Sequence, residues 1–464
     1  MIATSTPSPL RLAIIGGGFT GAVLAIHAVR ASTGPLDIVV LEPRAELGRG
    51  VAYSTRDRSH RINVPSDRLD IAAGEAGTAT AWLHAHGILP DPESEDATGA
   101  YVPRAEYGAY IGDVLARTLA AAAGRVRLRH LRTTATEVRD SDGTWTIVTQ
   151  AGERVAADRV ALCFGHAVPA LPCRLGPGVA DSPHFVADPW AADALAGIGP
   201  EASVLVVGTG LTMADVVTSL GAGGHRGPIT AVSRRGLLPK THGVFKMDLD
   251  VVGGQRPATA LELLRMIRRQ ISAVDPALGW HAVVDSLRPA LPDLWGDLPA
   301  DEKRRVVRRL LPFWEVHRFR IAPQIQAALA RAQAEGRLAV ERAAITGLDL
   351  GTDGGLEAEL RRGRGETERR RFDAVVLCTG PERDVARNPL VAALLADGTA
   401  SLDAVGLGLA VDRRSRVRDA SGQSRPGLYA FGPMTRGSFG EMTGAPDIAQ
   451  HIEQTVGGLL AGEP

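Results

Sequence analysis

The sequence predicts an α/β protein with two similar nucleotide-binding domains and a helical insertion in the second. An apolar strand, a Gly-x-Gly turn and a helical pattern follow one another at residues 12–30 and again at residues 203–220. This order is the plan of a dinucleotide-binding (Rossmann-like) unit, so two such domains are expected. After the second unit, residues 260–273, 300–311 and 321–334 have the apolar spacing of helices. We interpret these helices as the insertion.

Composition and charge are those of an ordinary globular protein. Apolar residues make up 45% and charged residues 22% of the 464 residues, as is typical of packed domains. Lys plus Arg and Asp plus Glu each number 52, and this balance gives no general attraction for polyanions. We therefore expect no nucleic-acid partner and no binding to membrane surfaces. The sequence does not determine the oligomeric state.

Two further features argue against other classes of protein. Cys163, Cys173 and Cys378 form no C-x-x-C pair, which argues against a disulfide framework, a cysteine-based zinc site and a dithiol redox centre, so no metal is expected. The first apolar run, residues 12–29, contains four glycines and fits a strand–turn–helix better than a signal peptide or a membrane span. We expect a cytoplasmic protein without membrane segments.

The first unit carries the pattern G-x-G-x-x-G at Gly16, Gly18 and Gly21, between an apolar strand and a helix. These glycines permit a tight turn, approach of the backbone to a pyrophosphate and close packing of helix on strand. A second strand, residues 37–41, ends in Glu42, where an acidic side chain can accept hydrogen bonds from an adenosine ribose. The pattern favours a dinucleotide site over a structural glycine-rich turn.

The second unit repeats the turn at Gly208 and Gly210, with Thr212 next to the start of the helix. It departs from the usual pattern because Met213 stands where a small residue is common. Pyrophosphate binding by this turn is still the favoured interpretation.

The strand that follows the second turn ends in Ser233, Arg234 and Arg235. Guanidinium groups at this position suit a 2′-phosphate, so the unit is predicted to prefer NADPH, with NADH possible as a second donor. The alternative is a pair of exposed arginines on a loop. Two nucleotide sites are most economically used by FAD in the first domain and a nicotinamide in the second, because hydride then passes from one cofactor to the other.

The chain is expected to cross twice between the domains. A proline-rich stretch at residues 169–200 interrupts regular structure after the first domain. The predicted division has three segments: an FAD-binding domain, first part, at residues 1–168; an NAD(P)H-binding domain at residues 200–378 with a helical insertion at about 240–335; and a return segment of the FAD-binding domain at residues 379–464.

Several motifs resemble a known flavoprotein family. Residues 16–21 (GGGFTG), 42–65 (EPRAELGRGVAYSTRDRSHRINVP), 313–323 (FWEVHRFRIAP) and 432–441 (GPMTRGSFGE) are similar to the FAD/NAD(P)-binding family that includes an FAD-dependent urate hydroxylase and an aspartate N-monooxygenase. The resemblance implies FAD in the first domain, NAD(P)H in the second and molecular oxygen as co-substrate. It does not fix the small-molecule substrate.

The resemblance also implies roles for individual residues. Gly16, Gly18, Gly21 and Glu42 correspond to FAD contacts, and by analogy with related flavoproteins Gly432 lies near the ribityl chain. Asn63, in the N-V-P element, is expected to face the isoalloxazine, and its alternative role is to cap a turn before Pro65. No residue is transferred as a catalytic base, so the catalytic residues are unknown.

Basic side chains are the candidates for the substrate pocket. An anionic substrate calls for a planar bidentate donor, which Arg318 and Arg320 supply, and His242 is a third candidate. The remaining candidates are Lys240, His317, His60 and Arg61. The alternative for each is a surface salt bridge or a contact to phosphate.

The sequence therefore predicts an FAD-dependent, NAD(P)H-consuming monooxygenase that hydroxylates a small nitrogen-containing metabolite through a flavin hydroperoxide. Urate is the first choice of substrate, and the amine of an amino acid such as aspartate is the second. Two alternatives remain open at this stage. One is a flavin-dependent NADPH reductase or dehydrogenase that passes electrons to another acceptor, and the other is a nucleotide sensor without turnover.

Overall fold

The computed structural model describes residues 8–462 except 142, 166–168, 245–248, 364, 381 and 383. Residues 1, 168 and 464, at which predicted domain segments begin or end, lie outside this set. The strands are β1 (Leu10–Ile15), β2 (Leu36–Leu41), β3 (Glu95–Asp96), β4 (Gly99–Ala100), β5 (Val126–Leu131), β6 (Ala135–Ser141), β7 (Thr144–Thr149), β8 (Arg154–Ala157), β9 (Arg159–Leu162), β10 (Arg174–Leu175), β11 (Phe185–Val186), β12 (Val204–Val207), β13 (Ile229–Ser233), β14 (Leu338–Arg342), β15 (Ala344–Leu350), β16 (Leu356–Arg362), β17 (Glu366–Phe372), β18 (Ala374–Leu377), β19 (Arg416–Arg418) and β20 (Ser424–Ala430).

The α-helices lie between these strands and after the last of them. They are α1 (Phe19–Ala31), α2 (Thr78–Ala85), α3 (Arg104–Ala121), α4 (Leu211–Ala222), α5 (Ala260–Ala273), α6 (Gly279–Leu287), α7 (Leu291–Asp297), α8 (Ala300–Arg309), α9 (Leu311–Arg318), α10 (Pro323–Ala334), α11 (Pro389–Ala396), α12 (Arg436–Phe439) and α13 (Ala445–Ala461).

The first sheet has the strand order β19-β20-β9-β1-β2-β5. Five of these strands run parallel, and β19 is antiparallel to β20. The apolar sequence of β1 suits a central strand, because both faces of a parallel sheet are covered. Helices α1, α3 and α13 contribute to the core on one face, and the three-stranded sheet β6-β7-β8 and α11 contribute on the other. The last segment of the chain thus completes the sheet that the first segment begins.

The second sheet is entirely parallel, in the order β11-β18-β12-β13-β14. Helices α4 and α10 share a core on one face, and strands β15 to β17 cover the other face. These two sheets, with their helices, confirm the predicted α/β class with two Rossmann-like domains. The exact domain boundaries remain a proposal.

The insertion between β13 and β14 has a hydrophobic core of its own, to which helices α5 to α9 contribute. Helix α10 instead packs beside α4 on the second sheet. Two predicted helices begin or end differently. The helix predicted at 300–311 ends at Arg309, and the helix predicted at 321–334 begins at Pro323, where a residue without an N–H group is tolerated in the first turn. In the described residues, no helix is long and apolar enough to cross a membrane.

Candidate nucleotide and substrate sites

The first glycine-rich turn is closed and tightly packed. Gly16 has φ +100°, a conformation that side chains disfavour. A Cβ atom at Gly21 would collide with the carbonyl oxygen of Gly16, so the third glycine lets α1 pack directly against the turn. The N-terminus of α1 then presents its amide groups at Gly18, where a pyrophosphate can be bound.

Glu42 follows β2 and reaches this turn. Its side chain is 5% exposed, and Oε2 accepts a hydrogen bond of 3.0 Å from the Gly17 amide. The Arg44 amide donates to Oε1 over 3.1 Å. The Arg44 guanidinium also donates to Oε1 over 3.3 Å. A carboxylate has about four acceptor positions, so three protein hydrogen bonds leave capacity for a ribose hydroxyl. The residues predicted to bind FAD are therefore assembled around one turn, and their chemistry fits a dinucleotide.

Gly432 and Asn63 lie on other elements of the first domain. A Cβ at Gly432 would approach Thr20 Oγ1 to 2.7 Å, so Gly432 lies against the start of α1. Asn63 is partly buried, and in the described part of the chain its side chain has no hydrogen-bond partner. The turn Ser66–Arg68 has no side-chain cap. Asn63 therefore does not cap this turn, and its side-chain amide is available to a ligand.

The second turn is more open than the first. Gly208 has φ +123°, and a Cβ there would collide with the carbonyl group of Cys378. Gly210 is exposed, with space around its Cα, and Thr212 is the second residue of α4. Ser233 lies within 2.8 Å of Thr209 Oγ1 and accepts from the Gly236 amide at 2.9 Å. Ser233 thus supports the shape of the turn.

Three arginines lie at the ends of the adjacent strands β13 and β14. Arg234 and Arg235 are exposed, and Arg342 is paired in register with Ser233. Within the described ranges, none of the three has a carboxylate at salt-bridge distance, and Arg235 lies 5.8 Å from the ring centroid of Phe313. Unpaired guanidinium groups on neighbouring strands can bind a phosphate monoester. Sequence reasoning missed Arg342 because only parallel pairing of distant strands brings it here.

Arg318 and Arg320 are buried in ion pairs, which corrects the prediction that they offer free bidentate donors to an anionic substrate. Arg320 binds both oxygens of Asp285, at 2.9 and 3.0 Å, and both residues are 3% exposed or less. Arg318 binds Asp447 at 2.6 Å and lies 3.3 Å from Glu441. The pairs of Arg318 join the insertion to the last segment of the chain, whereas the Arg320–Asp285 pair lies within the insertion. Removing one buried partner would leave an uncompensated charge.

His242 does lie between the two domains. Its Nε2 donates to the backbone carbonyl of Asn63 over 3.1 Å, and its ring is 4.9 Å from that of Tyr101. Burial and the nearby Arg320 lower the pKa of His242 to about 4, so its imidazole is neutral at pH 7. In the described residues Nδ1 has no hydrogen-bond partner, which leaves one acceptor beside the Asn63 loop.

The other candidates are less well placed for a shared pocket. Lys240 is exposed, and its backbone joins α9 and Ile321. His317 Nδ1 donates to the Phe313 carbonyl over 2.7 Å. Arg61 donates to Ser94 over 2.5 Å. His60 is buried against the second domain and contributes to the domain contact. Among the described residues, no group of acidic, histidine and cysteine side chains is arranged to hold a metal ion.

The chain is similar to known proteins in one segment by sequence and over its whole length by structure. Residues 13–167 match the FAD-NAD(P)-binding family. No curated protein sequence matches the chain. The ornithine N-hydroxylase of Kutzneria sp. 744 is 18% identical with a TM-score of 0.65, covering 98% of this chain and 99% of that chain.

Two further structures show how far this likeness extends. The L-lysine 6-monooxygenase of Pseudomonas syringae is 18% identical with a TM-score of 0.65, covering 98% of this chain and 100% of that one. The thioredoxin reductase of Lactococcus lactis is 13% identical with a TM-score of 0.53, covering 97% of this chain and 99% of that one. Similarity at this level establishes the fold. Residues 13–167 therefore match an FAD-NAD(P)-binding family, and the whole chain has the two-domain fold seen in flavin-dependent monooxygenase structures.

Proposed function

We propose that the chain is an FAD- and NADPH-dependent monooxygenase that N-hydroxylates the primary amine of an amino acid or of a related small amine. The observation that carries this proposal is that the chain spans nearly the full length of an ornithine and a lysine N-hydroxylase structure and has two glycine-rich turns. This reverses the order of substrates predicted from the sequence, because the comparisons give urate no support.

The chemistry of the site also favours an amine over urate. Urate would require a cation, whereas Arg318 and Arg320 are already paired with carboxylates. An amine can be hydroxylated only as the free base, since its nitrogen needs a lone pair. The neutral imidazole of His242 can accept a hydrogen bond from an amine N–H through Nδ1 and leave that lone pair free.

A disulfide reductase is disfavoured although it shares the fold. Cys163 and Cys378 are buried and Cys173 is partly buried, and all three are free thiols. Burial raises the pKa of both Cys163 and Cys378 far above the ordinary value, so neither is a thiolate nucleophile at pH 7. Electron transfer to a protein disulfide would need a reactive dithiol, which these positions do not supply.

Bound FAD would supply the hydride acceptor and the activation of oxygen that side chains cannot. Gly16, Gly18 and Glu42 would hold this dinucleotide, and the N-terminus of α4 with Arg234 and Arg235 would hold NADPH. Backbone amides would contact the phosphates at each site, and guanidinium groups would add to them at the NADPH site. The insertion, held to the last segment of the chain by the pairs of Arg318, would cover the region between the two nucleotides and exclude water.

The test combines anaerobic and aerobic measurements on the FAD-loaded protein. NADPH is expected to bleach the flavin absorbance without oxygen. In air, a coupled amine should accelerate NADPH oxidation, yield little hydrogen peroxide and gain 16 Da (one oxygen atom) by mass spectrometry. Ornithine, lysine, cadaverine, aspartate and urate would be compared at equal concentration. Product from urate alone would overturn the amine assignment, and turnover only with an artificial electron acceptor would indicate a reductase.

A further inference from the structure

A short segment of the first domain, from His60 to Asn63, is held at both ends by the second domain. His60 contacts Ser219 on α4, and the Asn63 carbonyl accepts a hydrogen bond from His242. The segment leads directly into the Asn63 loop, which is expected to face the flavin. The N-terminus of α4 is the expected pyrophosphate site for NADPH. One strap of chain thus connects the two nucleotide sites.

The hydrogen bonds at His60 form one consistent chain. Ser219 Oγ donates to Asp57 Oδ2 over 2.5 Å and so accepts from His60 Nε2 at 2.8 Å. Thr55 Oγ1 donates to His60 Nδ1 at 2.8 Å. His60 is 8% exposed, and burial lowers its pKa. A neutral imidazole therefore satisfies all three neighbours.

A buried ion pair reinforces the same contact. Arg104, the first residue of α3, forms an ion pair with Asp215 on α4. Its Nη1 lies 2.8 Å from Oδ2, and its Nη2 donates to Oδ1 over 3.1 Å. Asp215 is 3% exposed. Arg104 also donates through Nε to the Arg61 carbonyl at 3.0 Å, and its amide donates to the His60 carbonyl at 2.9 Å. Arg104 therefore binds the strap and the second domain together.

Asp215 and Ser219 are four residues apart on α4 and so lie on one face of the helix. This face meets the first domain, while the N-terminus of the same helix lies beside Gly210. We propose that Asp215 is a positioning residue for hydride transfer, because through Arg104 it sets the Asn63 loop, and the flavin beside it, at a fixed distance from the nicotinamide. The inference rests on the proposed function of NADPH as the hydride donor.

Hydride transfer is sensitive to such placement, since a shift of about 1 Å can slow an oriented reaction by roughly 100-fold. In the FAD-loaded full chain, Asp215→Asn should therefore lower the rate of anaerobic flavin reduction at saturating NADPH by about 10-fold or more. The NADPH concentration for half-maximal rate, the FAD content and the rate of reduction by dithionite should stay unchanged. Dithionite needs no alignment of two nucleotides, so it separates positioning from flavin damage.

Three further variants give controls. Ser219→Ala removes the His60 contact without leaving a buried charge, and it should slow reduction by NADPH less than Asp215→Asn but in the same way. Thr218→Ala is the matched control, because among the described residues the Thr218 hydroxyl bonds only the Ala214 carbonyl of its own helix. Its flavin should be reduced at the original rate. The charge exchange Arg104→Asp with Asp215→Arg should recover part of the lost rate.

The outcomes separate this inference from the proposed function. If NADPH does not reduce the flavin of the unaltered protein, the proposed function fails and the inference with it. If NADPH does reduce the flavin of the unaltered protein, the inference is overturned when the flavin of Asp215→Asn and of Ser219→Ala is reduced at the original rate. It is also overturned if dithionite reduction or FAD content falls in parallel, because the pair would then serve stability alone.

Discussion

The two glycine-rich turns have the same backbone plan but different surroundings. At the first turn, a Cβ on Gly17 would collide with Leu47 and Glu42, and Gly18 lies against Gly50. At the second turn, Gly210 is exposed, with no heavy atom within 4 Å of an added Cβ. A site enclosed by its own protein suits a cofactor that stays bound, and an open site suits one that enters and leaves with each turnover. The same motif can thus hold FAD in one domain and NADPH in the other.

The charged side chains near the two turns also differ in burial and in pairing. Glu42 is buried and already accepts hydrogen bonds from Gly17 and Arg44. Arg234 and Arg235 are exposed and stand without carboxylate partners in the described part of the chain. A ligand at the first turn joins an existing network, whereas a ligand at the second supplies the missing negative charge. The difference in packing and charge therefore predicts different binding lifetimes.

The largest effect is expected from Gly18→Val. An ideal Cβ at Gly18 lies 3.2 Å from the Gly50 Cα, and the two added methyl groups would occupy the space that a pyrophosphate needs. We expect the variant to purify without flavin, as measured by the ratio of visible to ultraviolet absorbance. Gly34→Ala, where an added Cβ meets nothing within 4 Å, is the control. Full flavin occupancy in Gly18→Val would falsify the placement of FAD at this turn.

Gly210→Val tests the other half of the comparison. Because Gly210 is exposed and unhindered, the variant should fold and retain FAD. The side chain would still block approach of the NADPH pyrophosphate to the N-terminus of α4. We expect the KM for NADPH, measured by anaerobic flavin reduction, to rise by roughly 100-fold. This rise corresponds to about 2.7 kcal/mol of lost binding free energy. Loss of flavin instead would show that the two turns do not act separately.

A smaller effect is expected from the arginines beside the second turn. Each charge-assisted hydrogen bond contributes about 1.5–3 kcal/mol. The double variant Arg234→Ala and Arg235→Ala should therefore raise the KM for NADPH at least about 10-fold and leave the KM for NADH nearly unchanged. Arg342→Ala should act in the same direction. Arg308→Ala, an exposed arginine of the insertion, is the control, and an unchanged NADPH to NADH ratio in the double variant would remove these residues from the phosphate site.

Local sequence patterns predicted the two turns because each lies within one strand–turn–helix. Gly16, Gly18 and Gly21 need only short-range contacts, and the same holds for Gly208 and the strand before it. The chemistry between the domains was less accessible. Arg318 and Arg320 look like ligand-binding residues in sequence, but their carboxylate partners, Asp447 and Asp285, lie 129 and 35 residues away.

The contact of Arg104 with Asp215 shows the same limit. The two residues are 111 positions apart and belong to helices of different domains. No periodicity links them, because periodicity reports which face of a helix is buried and not what that face meets. The sequence alone therefore predicted the two glycine-rich turns, but not the contacts that hold the two domains together.

The last prediction concerns the stability of the first domain. His451 on α13 lies 2.6 Å from Ser415 Oγ and packs against the ring of Phe439 at 4.5 Å. Burial lowers its pKa to about 4 from the ordinary 6.5. The folded state keeps this imidazole neutral, whereas the unfolded chain takes up a proton below pH 6.5. The free energy of unfolding should therefore fall as the pH drops from about 6.5 to about 4, by at most about 1.4 kcal/mol per pH unit for this residue.

The measurement is urea unfolding followed at several pH values. His451→Gln should weaken the loss of stability on acidification, because the substituted side chain does not titrate in this range. His84→Gln is the control, since His84 is exposed on α2. Because α13 belongs to the core of the first domain, the flavin signal should be lost at a lower urea concentration as the pH falls. Neither His84→Gln nor added NADPH should change this dependence of the free energy of unfolding on pH. A pH dependence that is the same in His451→Gln would show that other groups carry the acid sensitivity of the FAD-binding domain.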